Sequence, residues 1–206
     1  YMHHDRCPMM LVMPTQHLCE EFSKDRITPM LRDTPALRGL VVDSNAKKSG
    51  NTLLSKHFPG GLLVMGWPAS PATLAGRPIR VAIGDEIDRW QTSGAEGSPV
   101  DLLTVRTTAF RWNAKHAFFS TPTVQKQSRI EKLYLSSDQR KFYIPCPHCS
   151  DRFVLEFEHL HIEENPPRMQ EDGTTLRTPK DAWFFCPSCS GRIDDTQRHK
   201  AVRQGE

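Results

Sequence analysis

The sequence points to an α/β sheet protein that carries a second, cysteine-built module near its C-terminus. Short apolar runs recur through the first two-thirds of the chain, each stopped by a small or polar cluster, with helical or loop stretches between them. Two Cys-x-x-Cys pairs follow, Cys146/Cys149 and Cys186/Cys189, in a stretch of different texture.

The first run, Met9-Met10-Leu11-Val12-Met13, is apolar throughout, as a buried strand requires, and Pro14-Thr15 ends it. Residues 16 to 32 are expected as helix, with Leu18, Cys19, Phe22, Arg26 and Met30 on roughly one face and Pro29 ending or kinking it. Leu40-Val41-Val42 and Leu62-Leu63-Val64-Met65 are the next expected strands, the latter entered through a Gly60-Gly61 turn. Ile79-Arg80-Val81-Ala82-Ile83 is another, stopped by Gly84 and the acidic group Asp85-Glu86-Ile87-Asp88. Ala117-Phe118-Phe119, stopped by Ser120-Thr121-Pro122-Thr123, completes the series. In such sheets chemistry gathers at the carboxyl ends of the strands.

The texture changes from about residue 140. The knuckles flank a β-like Phe153-Val154-Leu155 and a polar middle from Asn165 to Pro179, and His159 and His161 read as surface residues. A boundary near residues 136 to 142 gives a first domain at 1–138, a cysteine module at 139–195 and a polar tail or linker at 196–206.

Composition bounds the function. Hydrophobic residues make up 37% and charged residues 25% of 206, and no run approaches the roughly 18 apolar residues of a membrane span. The start, Tyr1-Met2-His3-His4-Asp5, has neither the charged nor the apolar region of a signal peptide, and without an initiator Met the chain is expected to begin inside a longer protein. The net charge of +3, with a pI near 8.6, is only weakly suggestive of an anionic partner. Arg26, Arg32, Arg38, Lys47, Lys48 and Arg106 are scattered as on a solvated surface.

Asp85-Glu86 at the end of a buried strand is the arrangement a Walker B element needs: the Asp to hold Mg²⁺, the Glu to polarise the attacking water. A solvated acidic turn is the plain alternative. Met13-Pro14-Thr15 and Ser120-Thr121 each place a hydroxyl after an apolar run, where motor ATPases sense a γ-phosphate. A cap is an equal reading for Thr15, and Ser120-Thr121 is favoured as functional. No G-x-x-x-x-G-K-[ST] phosphate loop occurs, and Lys47-Lys48-Ser49-Gly50-Asn51-Thr52 has Gly and Lys in the wrong order. Such a loop is expected upstream of Tyr1, leaving this segment alone a poor binder of ATP.

The cysteine pairs read as metal ligands, since nothing marks the chain as secreted, while Cys7 and Cys19 stand apart. Four thiolates at Cys146, Cys149, Cys186 and Cys189 would close a tetrahedral zinc site with no open position, so the metal would be structural. His148 could substitute for a thiolate, but four cysteines make that unnecessary.

Taken together, the stretches Phe22–Met30, Gly66–Leu74, Asp85–Asp88, Glu96–Pro99, Ser120–Thr123 and Cys146–Cys149 resemble the GpA-type large terminase subunit of lambda-like tailed phages and prophages, in that family's order. Where many relatives carry Ala-Asn before Ser-Pro, this chain has Trp67-Pro68-Ala69. The resemblance implies a RecA-like P-loop ATPase core, here without its first strand and phosphate loop, and the four cysteines that follow it read as a small zinc ribbon. It implies ATP and Mg²⁺ as cofactors, Asp85 as the Mg²⁺-associated carboxylate, Glu86 as the catalytic one and Ser120-Thr121 as the coupling motif. The implied partners are double-stranded DNA, the small terminase subunit and the procapsid portal. A homo-oligomeric ring in the bacterial host cytoplasm and a nuclease domain in the parent are implied as well. A helicase-like translocase, or a non-enzymatic zinc ribbon on an α/β scaffold, would share parts of the pattern.

Overall fold

The computed structural model describes residues 1–41, 50–91, 97–124, 126–170, 172 and 174–206. Val42, Lys47-Lys48-Ser49 and Glu96, which entered the sequence expectations, lie outside them. The chain forms two compact units, Tyr1–Ser137 and Asp138–Glu206.

In the first unit, strands β1 (Pro8–Val12), β2 (Ser55–Phe58), β3 (Gly61–Gly66), β4 (Val81–Gly84) and β5 (Lys115–Phe118) form one sheet in the order β2-β3-β1-β4-β5. The last four of that order are parallel, and β2 joins the edge antiparallel to β3. The unbroken apolar run of β1 has a simple cause. Met9 and Leu11 pack into one core cluster, with Cys19, Ile27, Met65 and Val81, while Met10 and Val12 pack into a second, with Ala82, Ile79, Leu74, Ile87, Trp90 and Leu103. A central parallel strand covered on both faces has no solvent side on which to place a polar residue.

β2 is a strand the sequence conceals, because Ser55-Lys56-His57-Phe58 has no apolar run. The two-residue link Pro59-Gly60 fixes it, with Gly60 at φ +80°, a conformation that glycine adopts without strain. Leu40 and Val41 form no strand; they pack instead against the first core cluster from a turn.

The expected helix at 16–32 is present but differently built. α1 (Gln16–Phe22) runs through a π-helical turn at Ser23–Ile27 into α2 (Thr28–Asp33). Pro29 does not stop it. Because proline has no N–H to give to the preceding turn, the wider turn absorbs the defect, and the Thr28 amide reaches back to Ser23 O. The buried stripe is therefore Cys19, Ser23 and Ile27, whereas Leu18 and Met30 are exposed. Ser23, fully buried, donates its hydroxyl to Leu53 O. Two shorter helices, α3 (Pro71–Ala75) and α4 (Pro99–Val105), each start at a proline in the first helical turn. A further one, α5 (Arg129–Leu135), follows β5.

In the second unit the first knuckle lies between β6 (Tyr143–Pro145) and β7 (Arg152–Val154), an antiparallel pair. Next come β8 (Leu160–Glu164) and a two-stranded ribbon, β9 (Arg168–Met169) with β10 (Thr175–Leu176), which fills the polar middle. The second knuckle lies between β11 (Pro179–Phe185) and β12 (Arg192–Ile193), with β8 on the other side of β11.

The last residues are no polar tail. α6 (Asp195–Arg203) is capped by Asp194 and Gln197 in a reciprocal capping box, and Ala201 joins the core of this unit. Glu206 then exchanges two backbone hydrogen bonds with Tyr143, at 2.9 and 3.0 Å.

Candidate functional site

Three parallel strands, β1, β4 and β5, end side by side, and their carboxyl ends carry the residues the sequence singled out. The Asp85 amide donates to Val12 O at 2.9 Å, which continues the β1 ladder one residue past β4. Phe119 N donates to Gly84 O at 2.8 Å and Ile87 N to Phe119 O at 3.2 Å, so the acidic loop is laced to the end of β5. Asp85 and Glu86 are half-buried at this rim.

Glu86 has a left-handed backbone, φ +48° and ψ +47°, where a non-glycine residue costs about 1–2 kcal/mol. One carboxylate oxygen, Oε2, is buried without a hydrogen-bond partner and makes a long ion pair with the exposed Arg89 guanidinium, at 3.5 Å. Strain and an unmet acceptor in one residue at a strand end are features that folds keep at sites of chemistry.

Ser120 comes to the same loop: its Oγ accepts from the Asp88 amide at 3.1 Å. Thr121 is exposed, and its carbonyl is engaged by the Ser120 hydroxyl at 3.4 Å. Asp85, Glu86 and Ser120 thus lie on neighbouring strand ends linked through backbone bonds and the Asp88 amide, while Thr121 faces solvent. Thr15 is a cap, its Oγ1 accepting from Leu18 N at 3.3 Å at the start of α1.

The loop is fixed by residues that local sequence spacing did not single out. Trp90, 2% exposed, donates its indole N–H to Asp85 O at 2.8 Å. The Asp88 carboxylate accepts from the amides of Arg129 (2.7 Å) and Ile130 (3.0 Å) through Oδ1, and from Thr123 (3.2 Å) through Oδ2. Burial alone would raise the Asp88 pKa. The Ser128 hydroxyl and the amides of Ile130, Thr123 and Arg129 outweigh it and hold the group below the usual carboxylate range. The sequence displayed Asp88, but its partners lie about forty residues downstream, beyond the reach of any local pattern.

Gly84 is where β4 meets this loop, and it has no room for a side chain. A Cβ there would meet Phe118 Cδ1 at 2.8 Å, Trp90 Cη2 at 2.9 Å and Ile87 Cγ2 at 3.0 Å. Gly84→Ala is expected to destabilise the first unit by about 1–3 kcal/mol, the usual cost of overpacking. Urea unfolding followed by Trp fluorescence measures it, and an unshifted midpoint would mean that the two rings can step aside.

The second candidate centre is the cysteine cluster. Sγ atoms of Cys146, Cys149, Cys186 and Cys189 all lie within 4.8 Å of one another, and the Cys146–Cys189 and Cys149–Cys186 pairs are 3.8 Å apart. Tetrahedral thiolates around zinc at about 2.3 Å would stand about 3.8 Å apart, the spacing of these two pairs, so the cluster is of a size that could hold such an ion. The knuckles have one geometry. In each, the residue after the second cysteine is left-handed (Ser150 φ +63°, Ser190 φ +56°) and returns its amide to the first cysteine's carbonyl, at 2.9 and 2.8 Å.

Each knuckle also reaches across to the other. His148 Nε2 lies 2.7 Å from Arg192 O, and the Ser188 hydroxyl donates to Asp151 Oδ2. His148 is therefore a brace between knuckles and not a ligand. Burial acts to raise the Cys186 thiol, but the Cys189 and Ser188 amides, with the Cys146 and Cys189 thiols, bring it down to about 7. Cys149 is pushed up to about 12; the Asp151 amide acts to lower it but is outweighed by desolvation and by the Cys146, Cys189 and Cys186 thiols.

His159 is half-buried, its ring edge-on to Phe153 and Phe185 at 5.8 and 5.7 Å. His161 is exposed and lies against Trp183 at 4.4 Å.

A family model described as "Phage terminase large subunit gpA, ATPase domain" matches residues 1–206. The large terminase subunit of Enterobacteria phage P21 is 31% identical over 162 residues, covering 76% of this chain and 25% of that protein. The subunit of Escherichia phage lambda is 28% identical over 166 residues, with the same two shares. The chain thus spans about a quarter of the length of the curated relatives it matches. A solved large terminase from a thermophilic bacteriophage aligns at TM-score 0.37 and 19% identity, over 57% of this chain and 27% of that one, a likeness too loose to inform the fold.

Proposed function

The chain belongs to the family of the phage terminase large subunit gpA ATPase domain, and on that premise we propose that it is part of the ATPase core of a motor that couples ATP hydrolysis to driving double-stranded DNA into a procapsid. The observation that supports this best is the rim of β1, β4 and β5. Two adjacent carboxylates, one on a strained left-handed residue with a buried oxygen that no hydrogen bond meets, lie on a loop whose Asp88 amide donates to the Ser120 hydroxyl at the neighbouring strand end.

In this reading Asp85 holds the metal side of the substrate. Its oxygen donor suits a hard cation, and magnesium bound there would neutralise charge on the phosphate oxygens. Glu86 orients and deprotonates the attacking water. Ser120, bonded to the Asp88 amide, registers the γ-phosphate and its loss, with Thr121 completing the coupling motif toward solvent. The small terminase subunit and the portal are the partners, and a ring of identical subunits is the assembly.

The four cysteines belong to the same reading as a structural zinc site. Their thiolate set is closed, so the ion would leave no position for a reacting group. Among the described residues no helix is long and apolar enough to cross a membrane.

The test is phosphate release from ATP by the full-length protein, with and without Mg²⁺ and with double-stranded DNA added. Metal-dependent release stimulated by DNA is the expected result. Absence of hydrolysis under every condition removes the motor reading.

A further inference from the structure

The acidic loop and the start of the helix that follows β5 hold each other from both sides. α5 begins at Ser128, whose own hydroxyl accepts from Glu131 N at 3.1 Å and so caps the helix. Ser128 leaves the first two amides of the helix unmet, and the Asp88 carboxylate, from a separate loop, takes these amides of Arg129 and Ile130 together with that of Thr123. In return, Arg129 Nη1 donates to Ile87 O and to Trp90 O, both at 2.8 Å. Those two carbonyls bracket the single 3₁₀ turn Ile87–Arg89, and the residue at the head of that turn is Glu86.

We propose that Asp88 and Arg129 form a reciprocal clasp that positions Glu86 and makes the acidic loop and the Ser120–Thr123 strand end move as one body. Glu86 sits on an arc pinned on one side at Asp85, by Val12 O and the Trp90 indole, and on the other by the clasp. A left-handed glutamate persists only where its surroundings over-determine it, and these bonds supply that constraint. The same bonds give a route for coupling. A displacement of Ser120 pulls on the Asp88 amide, and Asp88 pulls on Thr123 and on the first turn of α5. Asp88 and Arg129 are positioning residues: they touch the loop and not the substrate.

The functional half of this inference rests on the ATPase reading, so the experiment separates the two. Hydrogen exchange of this chain reads the clasp alone: Asp88→Ala should expose the amides of Thr123, Arg129 and Ile130. Steady-state kinetics of the full-length protein reads the consequence. Asp88→Ala and Arg129→Ala should each lower kcat roughly 10- to 100-fold, the usual cost of a small misplacement, with KM for ATP nearly unchanged. The double variant should add little to either single one, because both cut the same unit. Asp88→Asn, whose Oδ1 still accepts from Arg129 and Ile130, should fall between wild type and Asp88→Ala.

If Glu86→Gln turns over normally, the ATPase reading fails whatever Asp88 does. If Glu86→Gln is dead but both clasp variants keep kcat within about twofold while the amides open, the clasp is only structural and the proposal is overturned. Unchanged amide protection in Asp88→Ala overturns it equally.

Discussion

Glu86→Gln in the full-length protein is expected to abolish ATP turnover while nucleotide binding survives. The substitution keeps size, shape and the left-handed backbone of a residue that is not glycine, so the loop has no reason to rearrange. What it removes is a base. Loss of a positioned general base costs about 10²- to 10⁴-fold. The ion pair with Arg89, at 3.5 Å and largely exposed, disappears with the charge but is worth at most about 1 kcal/mol. Single-turnover hydrolysis beside an equilibrium nucleotide-binding measurement separates the two effects. Normal turnover would strip Glu86 of its role and leave the strained conformation unexplained.

Cys186→Ser is expected to release the metal and unfold the second unit while the first stays folded. Cys186 is fully buried, in a small core with Ile144, Cys146, Phe153, Ile193 and Ala201 and a few half-buried neighbours. So small a core does not sustain a module of this size, whereas zinc supplies roughly 10–16 kcal/mol of apparent binding energy to the folds that depend on it. Metal analysis should find about one equivalent in the wild type and none in the variant. Calorimetry should lose one of two transitions, because each unit has its own core. A metal-free second unit that melts cooperatively would exclude the zinc site.

These expectations differ in how far the residues alone foretold them. The parallel strands were legible because burial on both faces leaves an unbroken apolar run, as in Met9 to Val12. β2 was not, since its His57 faces outward at the sheet edge and its buried Lys56 is accommodated by a bond from Nζ to Thr52 O, at 3.1 Å, and not by an apolar side chain. The helix past Pro29 escaped because a π-turn can satisfy a proline that an α-helix cannot. α6 was readable and missed: Asp194 and Gln197 three residues apart are a capping box in plain view. Asp85, Glu86 and the four cysteines follow from local patterns, one a strand ending in carboxylates, the other a repeated knuckle. The clasp does not, because Asp88 and Arg129 meet only after β4 and β5 have paired. No spacing rule connects them.

The backbone of Glu86 sets durability against turnover at a single position. Glycine would accept that geometry freely and relieve about 1–2 kcal/mol, so a selection that rewards heat resistance alone drifts toward Gly at 86 and loses the carboxylate. Hardened versions of this protein therefore have to be sought away from the rim, among its exposed loops and helix ends.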